Sequence, residues 1–412
     1  MENLPSDSSR FFLLPTASCL LVSCAPVKSH RLMIIAGEPS GDAHAAALVT
    51  ALRQADPAAT FDFFGATGPT MRTAGVDSTI RSDDLAIMGV LEVGRVISKF
   101  WSAYKTLKQA ALEKKPDAVI LVDWPEFNLR LARSLHRNGI KVIYYISPQL
   151  WAWRSYRQRS ISRDVDLLLS ILPFEKQWYA ERGIDHVEYI GHPLAGEVKA
   201  RYDRAEFCQQ HDLNPARPIV TLLSGSRHKE VVRILPPMLD GAAFVAQKQP
   251  EVQFVLVVAP SRGKKETEDI VANRNSTVPL PNTLRIVHHE TREALSASNA
   301  AAIASGTATL EAALLGIPMA IVYKESAVNW NTLGRLINVD HFGLVNLVAG
   351  KRVVNELMQD DFTGENLAAE LLSLLEEKRN QSVRKRLLEV SVKLGDRGAS
   401  QRAAEHILAA LN

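Results

Sequence analysis

The chain has 412 residues, 48 Lys and Arg against 45 Asp and Glu, a net charge of +3, and 46% hydrophobic and 23% charged residues. A prior of about 150 residues per domain gives two or three cores, and this composition excludes a disordered chain. The charge is too weak to argue for nucleic acid, yet it suits phosphate-bearing ligands or an anionic membrane surface.

In chain order, the first feature is the apolar run FFLLPTASCLLVSCA at 11–25. It looks like a signal segment, and LVSC at 21–24 resembles a lipoprotein cleavage box. The preceding MENLPSDSSR, however, carries Glu2 and Asp7 against Arg10 alone, so the basic flank is missing. Pro15 and the short length exclude a bilayer-spanning helix. Residues 1–30 are therefore expected to be an atypical extension, with the fold starting near Lys28. Cys19, Cys24 and Cys208 cannot build a disulfide framework and match no zinc spacing, which points to a reducing, cytoplasmic setting.

From Arg31 the pattern repeats as apolar strand, small-residue turn and amphipathic helix. RLMIIA (31–36), DAVILVD (117–123), IKVIYYIS (140–147) and VDLLLSILP (165–173) read as buried strands. After YIGHPL (189–194) the rhythm breaks. It restarts with PIVTLLSGSR (218–227), VQFVLVVAP (252–260), TLRIVHH (283–289), NAAAIA (299–304) and IPMAIVY (317–323). Such alternation predicts an α/β fold of two parallel-sheet, Rossmann-like domains facing a cleft, 31–195 and 196–362, followed by C-terminal helices at 363–412 with GDRG interrupting them. In such sheets ligands bind at the carboxyl ends of strands, so the loops after strands are the candidate site.

Four of those loops carry chemistry. AGEPSGD contains Gly37, Glu38, Ser40, Gly41 and Asp42: the glycines allow close backbone approach, and Asp42 is suited to cap the following helix. It is not a dinucleotide fingerprint, and a capped strand-to-helix turn would need most of the same residues. Asp123, at the end of a hydrophobic strand, stands where a general base belongs, with Pro125 shaping its turn; Glu126 or Asn128 serves equally as a helix-start residue. SGSRHKE (224–230) offers Gly225 and Ser226 amides plus the Arg227 guanidinium to an anion such as a pyrophosphate. SGTATLEAA (305–313) repeats that offer through Ser305, Gly306 and Thr307, with Glu311 placed for ribose hydroxyls. Two anion turns in one domain favour a nucleotide diphosphate.

Other features read both ways. Trp151 either stacks on a sugar or packs, and Arg154 and Arg157 either meet a phosphate or are solvated. Asp164-Val165-Asp166 imitates a metal motif but sits at a strand entrance, and His288-His289 lacks a third ligand, so neither a metal nor a cofactor is expected. Leu85–Lys115, with Val96, Ile97, Phe100 and Trp101, suits a membrane-surface helix or a partly buried domain helix.

Taken in order, AGEPSGD, MGVLEV (88–93), DWPEFNLRLA, YISPQLWAWR, LPFE, YIGHPL, SGSRHKE, SGTATLEAALLGIPMAIVYK and NLVAGKRVVNEL (346–357) resemble the lipid-A-disaccharide synthases. The resemblance implies a GT-B fold and an inverting, metal-independent transfer. Its substrates would be UDP-2,3-diacylglucosamine and the 6-hydroxyl of 2,3-diacylglucosamine 1-phosphate, giving a β-1,6 link. It implies Asp123 as base, Arg227 on the donor phosphates and Asn346 near the donor. It also implies a peripheral place on the cytoplasmic face of the inner membrane, and a homodimer formed by exchanging C-terminal helices. Ser224 stands where the family usually has proline. Two other classes share parts of this pattern: a UDP-sugar 2-epimerase, and a non-enzymatic nucleotide-sugar or lipid binder that would not need Asp123.

Overall fold

The computed structural model describes residues 28–83, 93–259, 263–274, 276, 278–326, 330 and 340–411. The cysteines of the N-terminal run and most of MGVLEV lie outside them. Among the described residues thirteen strands form two all-parallel sheets. The first takes β1 (Ser29–Ala36), β2 (Thr60–Thr67), β3 (Asp77–Arg81), β4 (Ala118–Val122), β5 (Val142–Tyr145), β6 (Leu167–Ser170) and β7 (Val187–Tyr189) in the order 3-2-1-4-5-6-7. The second takes β8 (Ile219–Leu223), β9 (Gln253–Val258), β10 (Leu284–His288), β11 (Ala300–Ala304), β12 (Met319–Tyr323) and β13 (Glu356–Met358) in the order 10-9-8-11-12-13.

The central strands are apolar without alternation because helices cover both faces; Ala118 to Val122 in β4 is 0% exposed throughout. In each sheet the strand order reverses at one place, between β1 and β4 and between β8 and β11. Those switch points are where the crossovers leave to opposite faces and open a crevice. Ala36 pairs with Val122 and Leu223 with Ile303, so the two loops following each pair emerge side by side. The four loops singled out from sequence are the loops at these two switch points.

The C-terminal helices divide between the halves. Gly364–Leu375 packs on the long helix His228–Lys248, and Glu377–Lys393 packs on Ala308–Leu314 and Leu344–Ala349. The chain then turns through Gly395 and Gly398, both at positive φ, and Ala399–Leu411 crosses back onto Pro39–Ala55 of the first domain. The return is fastened where the chain first crosses: His192 donates its amide to the Leu394 carbonyl at 2.9 Å, and Arg402 Nε donates to the Ile190 carbonyl at 2.7 Å. No helix among the described residues is long and apolar enough to cross a membrane.

Candidate active site

A cavity of about 670 Å³ opens between the domains at the carboxyl end of the second sheet. Its first-domain wall is Gln149, Trp151, Ala152 and Trp153. Its second-domain wall holds Gly225, Ser226 and Arg227 after β8 and Ser305, Gly306 and Thr307 after β11. The two turns touch: a Cβ on Gly225, whose φ is +104°, would lie 3.6 Å from that of Ala304.

The β8 turn differs from the sequence reading. Glu230 reaches back and accepts the Ser226 and Arg227 amides at 3.3 Å each, and the Arg227 guanidinium at 2.9 Å. A glutamate at the third helical position satisfies the first-turn amides in this way, so two amides offered to a phosphate already have an acceptor. Only glycine at 225 leaves room, since a Cβ there would stand 2.7 Å from the Glu230 carboxylate. Arg227 itself lies at the cavity rim, 83% exposed and ion-paired with Glu230. In the β11 turn nothing lies within 4 Å of where a Gly306 Cβ would project, while Ser305 Oγ donates to the Phe342 carbonyl at 3.0 Å.

Glu311 and Asn346 are not brought to the cavity. Glu311 accepts from Arg292 Nε at 2.9 Å, because the first turn of its helix faces the Thr291–Ser296 helix. Asn346 is 0% exposed and all its polar capacity is taken by the following loop: Oδ1 accepts from the Val353 and Val354 amides, and Nδ2 donates to the Val354 carbonyl and to Glu356. It holds the wall helix bearing Leu344 and Leu347, rather than pointing a side chain at the cavity.

The other cluster forms at the switch point of the first sheet. Asp123 and Trp124 both adopt left-handed backbone, at φ +48° and +46°, an uncommon state for such residues and a mark of a functional turn. Buried partners impose it: the Asp123 carbonyl accepts from Asn128 Nδ2 at 2.7 Å and from the Tyr144 hydroxyl at 2.6 Å. Asn128 is thus the clasp of this turn, more than a helix-start residue. The half-buried Asp123 carboxyl is raised above the ordinary aspartate range, first by desolvation and then by the charge of exposed Glu38 on the neighbouring loop. The Tyr144 phenol beneath it is raised well above its usual value by burial. Neither Asp123 nor Glu38 lines the larger cavity.

Asp42 does something other than expected. It lies one turn inside its own helix, its amide bonded to the Glu38 carbonyl at 2.9 Å, so its side chain faces a neighbour instead. There it accepts from the amides of Gly68, Thr70 and Met71 at 2.9, 2.8 and 3.1 Å, capping the helix Pro69–Thr73. Ser40 is exposed beside it and Gly41 is buried against Ala36 and Val122. Trp151 is packed, donating its indole N–H to the buried Glu175 at 3.1 Å while one face lines the cavity. Arg154 and Arg157 both ion-pair with Glu126, whose carboxyl the Arg157 hydrogen bond holds below its ordinary range. Asp164 is buried and paired with Arg163 at 2.6 Å, and Asp166 accepts the Val142 amide at 2.7 Å, so the metal-like triplet is turn chemistry.

Against this geometry, the family model described as lipid-A-disaccharide synthetase matches residues 32–410. The chain belongs to the lipid-A-disaccharide synthase family. It is similar to the lipid-A-disaccharide synthase of Geobacter sulfurreducens, 40% identical over 92% of this chain and 97% of that one, and to that of Syntrophus aciditrophicus, 42% identical over 92% and 97%. As a member of that family it is a glycosyltransferase. The fold is GT-B: the glycotransferase of kitacinnamycin superposes with a TM-score of 0.61 at 13% identity, covering 93% of this chain and all of that one. The UDP-GlcNAc 2-epimerase of Neisseria meningitidis, solved bound to UDP-GlcNAc, gives 0.57 at 13% identity, over 93% and 99%.

Proposed function

We propose that this member of the family transfers 2,3-diacylglucosamine from its UDP derivative to the 6-hydroxyl of 2,3-diacylglucosamine 1-phosphate, with inversion and without a metal. The observation that carries the reading is Asp123, a half-buried carboxyl raised by desolvation and by Glu38 on a rigid turn at a switch point. A base whose pKa is moved toward neutrality takes a hydroxyl proton more effectively than an ordinary aspartate. The hydroxyl oxygen attacks the anomeric carbon as Asp123 accepts its proton, and the bond to the pyrophosphate breaks on the opposite face. Arg227 and the Ser305–Gly306–Thr307 turn balance the charge gathering on departing UDP.

The acyl chains need an apolar surface. Along the Val93–Lys114 helix, Ala103, Leu107 and Ala111 are buried and Phe100 packs edge-on against Phe127 at 5.0 Å, so Phe100 belongs to the domain. Trp101 and Leu112 stay outward among Lys99 and Lys105, a composition suited to an anionic bilayer surface; the side chains of Val96 and Ile97 lie outside the described ones. On this reading the protein works peripherally at the inner membrane's cytoplasmic face.

Radiolabelled UDP-2,3-diacylglucosamine incubated with and without acceptor tests the reaction. Acceptor-dependent disaccharide and UDP are expected. Conversion of UDP-N-acetylglucosamine to its 2-epimer without acceptor would instead assign the epimerase reading.

A further inference from the structure

A second hollow of about 270 Å³ adjoins the first, lined by Trp151, Trp153, Arg154, Ser155, Trp178 and Arg182 together with Ala152. Trp151, Ala152 and Trp153 line both, so the hollows share a wall. Two arginines and a serine line the smaller one, and no carboxylate does among the described residues. Each arginine lies over an indole, Arg154 over Trp153 and Arg182 over Trp178, both at 4.0 Å from the ring centroid. Such a cation–π contact holds the guanidinium over the ring while its N–H groups remain able to donate. Arg154 is further tied to Glu126, in the first turn of the helix that begins right after Asp123 and Trp124. Arg182 donates one N–H to the Trp178 carbonyl at 2.7 Å, and the exposed Glu181 lies 3.7 Å away.

We propose that this hollow holds the phosphate monoester of the acceptor sugar, with Arg182 and Arg154 as its ligands and the indoles against the sugar ring. The inference rests on the acceptor named in the preceding subsection. That acceptor reacts at its 6-hydroxyl and carries its phosphate on C1, just across the ring oxygen from the C5 that bears C6, so the phosphate comes to rest within one ring's length of the reaction. It needs a cationic place on the first domain's side, apart from the donor pyrophosphate. Among the described residues lining the larger cavity, Arg227 is the only Lys or Arg, and in the proposed reaction it serves the donor. The smaller hollow supplies two guanidinium groups on that side, and one of them, Arg154, is tied through Glu126 to the helix that follows Asp123.

The test compares Arg182→Gln and Arg182→Lys with the parent, using the acceptor with its 1-phosphate and the same diacylglucosamine with a free 1-hydroxyl. Losing a hydrogen bond to a charged group is expected to lower kcat/KM for the phosphorylated acceptor by about 10- to 100-fold, through KM, in Arg182→Gln. The preference for the phosphorylated acceptor should shrink by the same factor, the donor KM should not move, and Arg182→Lys should recover part of the loss. Equal losses on both acceptors, or none on the phosphorylated one, would overturn the assignment. So would weaker binding of Arg182→Gln to phosphatidylglycerol vesicles with acceptor preference intact, which would give the hollow to a lipid headgroup. Failure of the parent enzyme to use either acceptor sinks the proposed reaction itself, and this site with it, and is thus distinguishable from the other outcomes.

Discussion

Trp124 lies across the bare α-carbon of Gly37: a Cβ there would stand 2.2 Å from the indole, which also stacks on Phe127 at 4.1 Å, 5° from parallel. The two residues belong to the loops after β4 and β1. Their contact locks the turn carrying Asp123 to the turn carrying Glu38.

Gly37→Ala should therefore overpack this junction, lowering stability by about 1–3 kcal/mol as added atoms in filled sites do. Turnover should fall further than UDP affinity, because the turns proposed to hold the nucleotide lie in the other domain. Thermal unfolding and UDP titration check both; an unchanged melting temperature with normal turnover would show that the ring moves freely aside.

Asp123→Asn should keep the fold and UDP affinity while cutting turnover by roughly 10²- to 10⁴-fold, the usual worth of a general base. Because burial and Glu38 raise the Asp123 pKa, the acidic limb of the rate profile should lie above the ordinary aspartate range. The rate should drop as pH falls through that raised value, where the base becomes protonated. Glu38→Gln removes the like charge and should move the limb to lower pH. A limb that stays put in this variant separates Glu38 from the base.

Much of this was legible in the chain, and the reasons differ by element. Unbroken apolar runs such as AVILV in β4 announce buried parallel strands, and the turns that follow them announce the cleft. Strands β2, β3, β7 and β13 carry no such signal: TFDFFGAT mixes Gly and Asp into a strand, DSTIR is mostly polar, and VEY and ELM are too short to show a period. The long helix His228–Lys248 hides behind Pro236 and Pro237. Among the candidate site residues, the positions of Asp123 and Arg227 at strand exits are legible in sequence, whereas side-chain partners are not. Nothing in local sequence says that Asp42 caps the helix Pro69–Thr73, that Glu230 fills the amides of its own turn, or that Arg292 claims Glu311. Arg182 was missed because its neighbours, Trp153 and Arg154, are nearly 30 residues away in sequence; the only signal was a Trp followed four residues later by an Arg on one helical face.

Asn346→Ala separates a clasp from a ligand contact. Removing the side chain leaves the Val353 and Val354 amides buried without partners, each at a cost of about 1–3 kcal/mol. A large drop in melting temperature is expected, with UDP affinity near normal at temperatures where the variant stays folded. Loss of UDP binding at unchanged stability would instead put Asn346 on the donor.

Glu175 gives the protein a measurable pH signature near neutrality. Its carboxylate is fully enclosed, accepting the Trp151 indole N–H and the Leu172 amide at 3.1 Å each, and burial pushes its pKa from 4.5 up to about 7. The folded state then keeps a proton that the unfolded chain has lost, so between about 4.5 and about 7 the unfolded state binds fewer protons. Stability must therefore fall as pH rises through that window and level off above it. Glu175→Gln cannot titrate, and although it forfeits one accepted hydrogen bond, its melting temperature should vary less between pH 5 and pH 8 than the parent's, a span taken to bracket about 7. Trp151 donates its indole N–H to Glu175, so tryptophan emission should change more with pH in the parent than in Glu175→Gln. Parallel melting curves across this range for the two proteins would mean that Glu175 is ionised in the fold throughout, and that hydrogen bonds outweigh its burial.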